Sequence, residues 1–263
     1  MTKVSGLDFD CQKAEGEITG FIRKTVVKSG ANGTVVGLSG GIDSSVVGAL
    51  CVKALGGQNT CGVLMPAFHT PEQDVKDARF LAKMWGIKSY EVGIDSIFSS
   101  IVDSIGSKDD NRITHANTKA RIRMLILYFF ANRFGFLVAG TGDRSEDILG
   151  YFTKYGDGGV DFLPISHLYK TQVRQLGAHL GLPDRVVNKP ASPQLWPGHK
   201  ATDELPLDYD QLDPLLHLLF DLKIPRRIAA AKAEVDIKVV NKIMRMYSNS
   251  GHKRSYPPMV RDW

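Results

Sequence analysis

The chain has 263 residues, 43% of them hydrophobic and 23% charged, with a formal net charge of +5. That is enough for one large α/β domain, and the composition is that of an ordinary folded protein rather than a disordered or fibrous one. No stretch approaches a membrane span, since the longest apolar region, Met124 to Ala131, is far too short.

Further exclusions follow from individual residues. The N-terminus carries Asp8, Asp10, Glu15 and Glu17 and has no signal-peptide apolar segment. Cys11, Cys51 and Cys61 show no C-x-x-C spacing, which argues against a zinc site or a disulfide scaffold and for a cytoplasmic enzyme. The basic excess suits a handler of polyanions, but the Lys and Arg are dispersed and form no run of five. Phosphate-rich small molecules fit that pattern better than nucleic acid does.

In chain order, Leu7 to Ser29 reads as a helix with Ile18, Phe21, Ile22 and Val26 on one stripe. Thr34 to Leu38 is a short β-branched run of the kind that forms a buried parallel strand. Ser39-Gly40-Gly41 turns the chain, and Val46 to Leu55 continues as a helix with Asp43, Ser44 or Ser45 at its start. A glycine turn opening onto a helix N-terminus is a phosphate site in outline. No lysine follows the second glycine, so the ATPase pattern G-x-x-x-x-G-K-[ST] is absent. Asp43 stands there instead. A bare carboxylate repels pyrophosphate, so Asp43 makes sense with Mg²⁺ between the two. The stretch resembles the Ser-Gly-Gly-x-Asp-Ser loop of the PP-loop ATP pyrophosphatases, which split ATP into AMP and pyrophosphate.

Cys61 to Met65 is a second strand stopped by Pro66, Pro71 to Trp85 a helix, and Ser89 to Val92 a third strand. Asn117 to Arg133 reads as a long helix burying Ile122, Leu125, Ile126, Phe129 and Phe130. Phe136 to Ala139 forms a fourth strand and Val160 to Ile165 a short fifth, with Lys170 to Leu180 a helix after it. Lys189 to Leu207, rich in proline, reads as a long mobile loop. Asp208 to Leu219 and Glu234 to Tyr247 are helical. The expected fold is therefore α/β, a doubly wound parallel sheet of about five strands with a helical C-terminal tail. One domain fills residues 1–263: an N-terminal helix in 1–30, the sheet core in 34–188, the loop 189–207, and helices with a tail in 208–263.

In such a sheet, ligands gather at the carboxyl ends of strands where the strand order reverses. Two strand ends carry unusual polar sequence, Ser39 to Ser44 and Thr141 to Glu146. Were they neighbours, Asp43 and Glu146 would converge and supply hard oxygen ligands to Mg²⁺. Gly140-x-Gly142-x-x-Ser145 lacks the third glycine of a dinucleotide fingerprint. Phe152 to Asp161 packs aromatics, a lysine, glycines and aspartates into either a ligand-facing loop or an exposed turn. Lys170 opens a helix, the wrong end for the dipole, so it either faces an anion or is simply solvated. Arg121 and Arg123, two apart on a helix, cannot both face solvent. His252-Lys253-Arg254 could equally be a loose basic tail.

Taken together, Gly37–Ser44, Asn117–Met124, Gly140–Glu146, Tyr151–Asp161 and His252–Arg254 resemble ammonia-dependent NAD synthetase, in the family's order and near its spacing. The resemblance implies a homodimer that adenylates deamido-NAD with ATP, then lets ammonia displace AMP. It implies that Gly37, Leu38, Ser39, Gly40, Gly41, Ile42, Asp43 and Ser44 cradle the triphosphate and that Asp43 and Glu146 hold Mg²⁺. Thr141, Lys170 and Ser192 would contact ATP, with Lys170 stabilising charge. Arg121, Lys154, Asp161, His252 and Lys253 would bind deamido-NAD, with Asp157 close to the reacting centre. The segment Met65 to Glu72 lacks the family's serine-rich character, and Ser192 stands where threonine is usual. Glutamine-using relatives carry an additional amidase domain, for which this chain has no room, so free ammonia is the expected nitrogen source.

Overall fold

A computed structural model describes residues 7, 9–106, 111–190, 192 and 204–260. Four strands form one parallel sheet: β1 (Gly33–Gly37), β2 (Thr60–Leu64), β3 (Lys88–Glu91) and β4 (Phe136–Ala139), in the spatial order β3-β2-β1-β4. The strands are short, and β1 and β2 are buried along their length between helices on both faces, which explains why they read as nearly unbroken apolar runs. Alternate residues serve opposite faces. Val36, Leu38, Leu64 and Ala139 join a core with helices α1 (Cys11–Ser29), α2 (Ile42–Leu55) and α3 (Glu72–Met84). Val35, Cys61, Val63 and Val138 face α5 (Arg112–Phe134), and α4 (Asp95–Ile105) packs outside it.

The first helix starts later than its apolar stripe suggests, because the Asp10 side chain caps it by accepting from the Lys13 amide. The Asn111 side chain likewise moves the start of α5 to Arg112.

Three sequence expectations need correction. Val160 to Ile165 is not a fifth strand: it makes only a single parallel bridge, Ala139 to Phe162. The Asp161 carboxylate itself accepts the Val138 amide at 2.7 Å, and Pro164 has no amide to extend a ladder. Leu125 and Phe129 are not buried but 63% and 60% exposed, on the outer side of α5. The sequence also suggests no helix directly after β4, whereas α6 (Arg144–Leu149) starts inside the Thr141–Glu146 segment.

After α7 (Lys170–His179) and α8 (Asp184–Val187), most of the expected 189–207 loop lies outside the described residues. The C-terminal helices α9 (Tyr209–Leu216), α10 (Arg226–Lys232) and α11 (Ile237–Asn249) do not trail away. Leu212, Leu215, Leu216, Ala229, Val240 and Ile243 close a core of their own over Ile148 and Leu149 of α6. No described helix is long and apolar enough to cross a membrane.

Candidate active site

The chain runs from β1 outward through β2 to β3, then crosses back to place β4 on the other side of β1. The strand order therefore reverses between β1 and β4, whose register pairs Val36 with Ala139. Two loops leave side by side there, one after Gly37 and one after Ala139. A cavity of about 450 Å³ opens over them.

The glycine loop is held in shape by its own serines. Ser44 Oγ accepts from the Ser39 amide at 3.2 Å, and Ser45 Oγ donates to the Gly41 carbonyl at 2.7 Å. Gly40 has φ of +75°, a conformation that side chains with a Cβ rarely adopt. Gly37, Leu38, Ser39, Gly41, Ile42, Asp43 and Ser44 line the cavity wall, with amides of the α2 N-terminus free to meet an anion.

Facing them is a lysine among three acids. Lys170 Nζ lies 2.7 Å from Asp43 Oδ2, 2.9 Å from Asp143 Oδ2 and 2.9 Å from Glu146 Oε1. Its side chain is 1% exposed. The two strand tips thus do meet, within reach of one ammonium. Burial alone would push the Lys170 ammonium down, but the three carboxylates more than reverse this and hold it well above its ordinary value. Burial drives the acids the other way: Asp143 is raised to about 6 despite Lys170, and Glu146 is raised well above the carboxylate range. One cation among three carboxylates leaves a surplus of negative charge, which adds to the effect of burial on Asp143 and Glu146.

Helix α7 delivers Lys170 from its first turn, and the fold meets the amides that such a turn leaves unpaired. The Lys170 amide donates to Ser145 Oγ at 3.1 Å and the Thr171 amide to Asp213 Oδ2 at 2.8 Å. Ser145 in turn donates to Asp213 Oδ1 at 2.6 Å, so α6, α7 and α9 share one clasp. The buried ring of Tyr209 sits 5.3 Å from Lys170 Nζ. Asp143 caps α6 by accepting the Glu146 amide at 2.8 Å.

The remaining expected residues divide. Thr141, Ser192, Asp157 and Lys253 line the same cavity. Asp157 accepts the Thr153 amide at 2.9 Å and also lines an adjoining cavity of about 360 Å³, as do Glu146, Phe152 and Lys253. Lys154 lines only that second cavity. Lys253 donates to the Gly150 and Phe152 carbonyls at 2.7 and 2.6 Å, while Arg254 donates to the Asp147 carbonyl at 2.9 Å. The His252–Arg254 segment is therefore docked at the end of α6 rather than loose, with His252 itself exposed. Asp161 is occupied by the Val138 amide and by the Tyr128 hydroxyl at 3.0 Å. Arg121 is exposed and donates to the Lys154 carbonyl at 3.3 Å. Its neighbour Arg123 is the inward one, lining the cavity and donating to the Met65 carbonyl at 3.1 Å. Arg121, Lys154, Asp161 and His252 do not line the main cavity.

The sequence pattern described as NAD synthase matches residues 15–257. The chain belongs to the NAD synthase family. A curated relative, the NH(3)-dependent NAD(+) synthetase of Staphylothermus marinus, is 46% identical over 94% of this chain and 90% of its own length. Among solved structures, an NMN synthetase from Francisella tularensis superposes with a TM-score of 0.86 at 30% identity, over 97% of this chain and all of that one. An NH3-dependent NAD synthetase from Campylobacter jejuni does so with a TM-score of 0.82 at 28% identity, over the same shares.

Within this NAD synthase fold, sequence reasoning missed Asp143 and Tyr209, and left open which of Arg121 and Arg123 turns inward. Asp143 is disguised by a second use, since an acid three residues before Glu146 is already explained as a helix cap. Tyr209 comes from a helix 39 positions beyond Lys170, which no local pattern connects to it.

Proposed function

We propose that this protein makes NAD, amidating deamido-NAD with ammonia at the expense of ATP, and that AMP and pyrophosphate are the other products. The observation that carries the reading is Lys170, buried between Asp43, Asp143 and Glu146 and facing a glycine loop. In the first step the nicotinate carboxylate oxygen bonds to the α-phosphorus of ATP, and the bond to the β-phosphate oxygen breaks. In the second, ammonia attacks the activated acyl carbon, AMP leaves, and the nitrogen sheds a proton. A carboxylate resists nucleophiles until it is adenylated, so the protein's work is alignment and charge neutralisation. The loop amides from Gly37 to Ser44 would cradle the phosphates, and Lys170 would stabilise charge on the departing pyrophosphate. Thr141 and Ser192 sit where they could add hydroxyl contacts, and Asp157 sits between the two cavities, where the acyl carbon and ammonia would meet.

The residues present fit a divalent cation. Asp43 Oδ1 is buried with no hydrogen-bond partner among the described residues, and the acid surplus around Lys170 calls for more positive charge. Mg²⁺ binds through one or two carboxylates plus phosphate oxygens and water, so the finding that no described group of three His, Cys, Asp or Glu forms a metal cage is no obstacle. Asp43 and Glu146 would hold it, and it would neutralise the triphosphate.

The second cavity, with Lys154 and Lys253, suits the pyrophosphate-bridged portion of deamido-NAD. Arg121, Leu125 and Phe129 recur every fourth residue on the outer side of α5, one exposed stripe. An apolar stripe of that kind supports a homodimer, with Arg121, Asp161 and His252 reaching deamido-NAD near the interface. A cytoplasmic location with no nucleic-acid partner completes the reading.

One assay tests it: ATP, Mg²⁺, an ammonium salt and deamido-NAD, with AMP and NAD followed together. Stoichiometric AMP and NAD are expected, and silence with intact ATP binding would refute the reading. The neighbour named for NMN synthesis makes the mononucleotide acid the competitor to include. A higher kcat/KM for that acid would move the substrate assignment. Light scattering tests the dimer, which Leu125→Glu with Phe129→Glu should convert to monomer.

A further inference from the structure

Three tyrosines of the fold, Tyr128, Tyr151 and Tyr169, each give their hydroxyl to a carboxylate, at 3.0 Å to Asp161, 2.7 Å to Glu204 and 2.7 Å to Asp221. This is the ordinary outcome, because a hydroxyl taken out of water without a partner costs free energy. Tyr209 differs. It is 4% exposed against 3% for Tyr169, yet its hydroxyl has no hydrogen-bond partner among the described residues.

Helix α9 sets the place of the ring. The Asp208 side chain caps that helix by accepting the Gln211 amide at 3.1 Å, so Tyr209 opens it. Asp213 lies four residues on, one turn along the same face, and its carboxylate is tied to Ser145 and to the Thr171 amide. Those bonds hold this face of α9 against the first turn of α7, and the Tyr209 ring comes to rest 5.3 Å from Lys170 Nζ. The ring belongs to the core that the C-terminal helices close over α6, while the residue also lines the main cavity with the glycine loop. Thr171 Oγ1 is sealed off with no partner, whereas the Tyr209 oxygen keeps access to that cavity.

A phenol is protonated at neutral pH, and burial raises this one further, so the group is a hydrogen-bond donor. A donor beside an ammonium, across from a loop of backbone amides, is matched by an anion that all of them can share. In an ATP site that anion is the pyrophosphate end of the triphosphate, where charge gathers as the bond to the α-phosphate breaks.

We propose that the Tyr209 hydroxyl is a phosphate-binding group, donating a hydrogen bond to the β- or γ-phosphate oxygens of ATP next to Lys170. This role rests on the reading of the cavity as an ATP site, and it adds to that site a donor from the C-terminal helices. Phenylalanine would fill the same apolar place but could not supply the donor.

The hydroxyl is removed alone in Tyr209→Phe, which keeps the ring. Calorimetry with Mg²⁺ measures affinity for a non-hydrolysable ATP analogue and for AMP, alongside kcat, the KM for deamido-NAD and the melting temperature. A hydrogen bond to a charged oxygen is lost, so the analogue should bind about tenfold more weakly and kcat should fall about tenfold or more. AMP lacks the β- and γ-phosphates, so its affinity should stay within about threefold of the parent, as should the KM for deamido-NAD. The melting temperature should equal or exceed that of the parent, because no protein group loses a partner.

Parent-like analogue binding and kcat in Tyr209→Phe overturn the proposal. So does a lower melting temperature with unchanged analogue affinity, which would make the hydroxyl a structural group. An equal weakening of AMP and analogue also overturns it, by moving the contact away from the pyrophosphate end. A parent that binds the analogue but makes no NAD refutes the amidation reading, and the two affinities still decide on Tyr209. A parent that binds neither nucleotide refutes the ATP site and this role together.

Discussion

Lys170 and Asp143 meet at 2.9 Å with side chains 1% and 0% exposed, the most enclosed ion pair of the site. Asp43 and Glu146 keep about a quarter of their side chains open to the cavity, at 24% and 23%. They can therefore turn toward a ligand while Asp143 cannot. Asp143→Asn preserves an oxygen to cap α6 but deletes the charge that stays with the lysine. Turnover should fall about tenfold or more, with the melting temperature within a few degrees of the parent. Parent-like turnover in Asp143→Asn would mean that the residue serves only as a cap.

Asp43→Ala should reduce turnover at least about a hundredfold while leaving circular dichroism unchanged, because Lys170 keeps two acids. The accompanying readout is the Mg²⁺ dependence of ATP-analogue binding, which should flatten in this variant. A variant with near-normal rates would remove Asp43 from the metal role.

Gly150→Ala should be strongly destabilising. Gly150 ends α6 at φ of +65°, and an added Cβ would lie 2.0 Å from the Ser250 Cβ. Both the backbone and the docked C-terminal segment would have to shift, at a cost of about 2 kcal/mol or more. The midpoint of urea unfolding measures it.

Asp221→Asn should lower stability at pH 7 and matter less in acid. Burial would raise the Asp221 carboxyl, but the bonds from His217, Tyr169 and Arg144 outweigh it and hold the group below its ordinary value. A depressed carboxylate contributes stability above the unfolded-state value of about 4, and that contribution is lost as pH falls through the folded-state value. The difference in melting temperature between parent and variant should therefore be full at pH 7 and shrink as pH drops through and below about 4. A gap independent of pH would show that packing, not charge, is at stake.

Thiol labelling at pH 8 should be slow at Cys51 and Cys61 in the native protein, where Cys11 alone is partly open, and should count all three cysteines only after unfolding. Cys51 and Cys61 are 0% and 2% exposed, and burial pushes their thiols up to about 12 and about 11. Fast reaction of two thiols in the native state would contradict the packing of β2 and α2.

The parts of this site that the sequence announces are those whose chemistry is local. A β-branched strand, a glycine turn and Asp43 arrive within ten residues, and Thr141 to Glu146 repeats the arrangement of strand end and acids. Their meeting follows from the reversal of strand order, a topological rule. What local pattern cannot supply is any choice between faces. From Met124 to Ala131 helix α5 is apolar on every side, so Leu125 and Phe129 read as core until the sheet is seen to take the opposite side. The spacing of Arg121 and Arg123 says that they diverge, not which one turns inward. Val160 to Ile165 has strand composition, yet Asp161 spends its carboxylate on the very amide that a fifth strand would pair. A salt bridge from Lys189 to Asp74 joins positions more than a hundred residues apart and leaves no trace in either neighbourhood.

The clasp of Ser145 and Asp213 on the first amides of α7 bears on how the chain can be shortened. A fragment ending at α8 would retain every strand and the whole glycine loop, and could still look complete. It would have lost the carboxylate that anchors the base of α7, and the aromatic ring beside the ammonium with it. The glycine loop of such a fragment would still face the nucleotide, but the lysine would no longer be aimed, so the reach of the chemistry extends well past the sheet that hosts it.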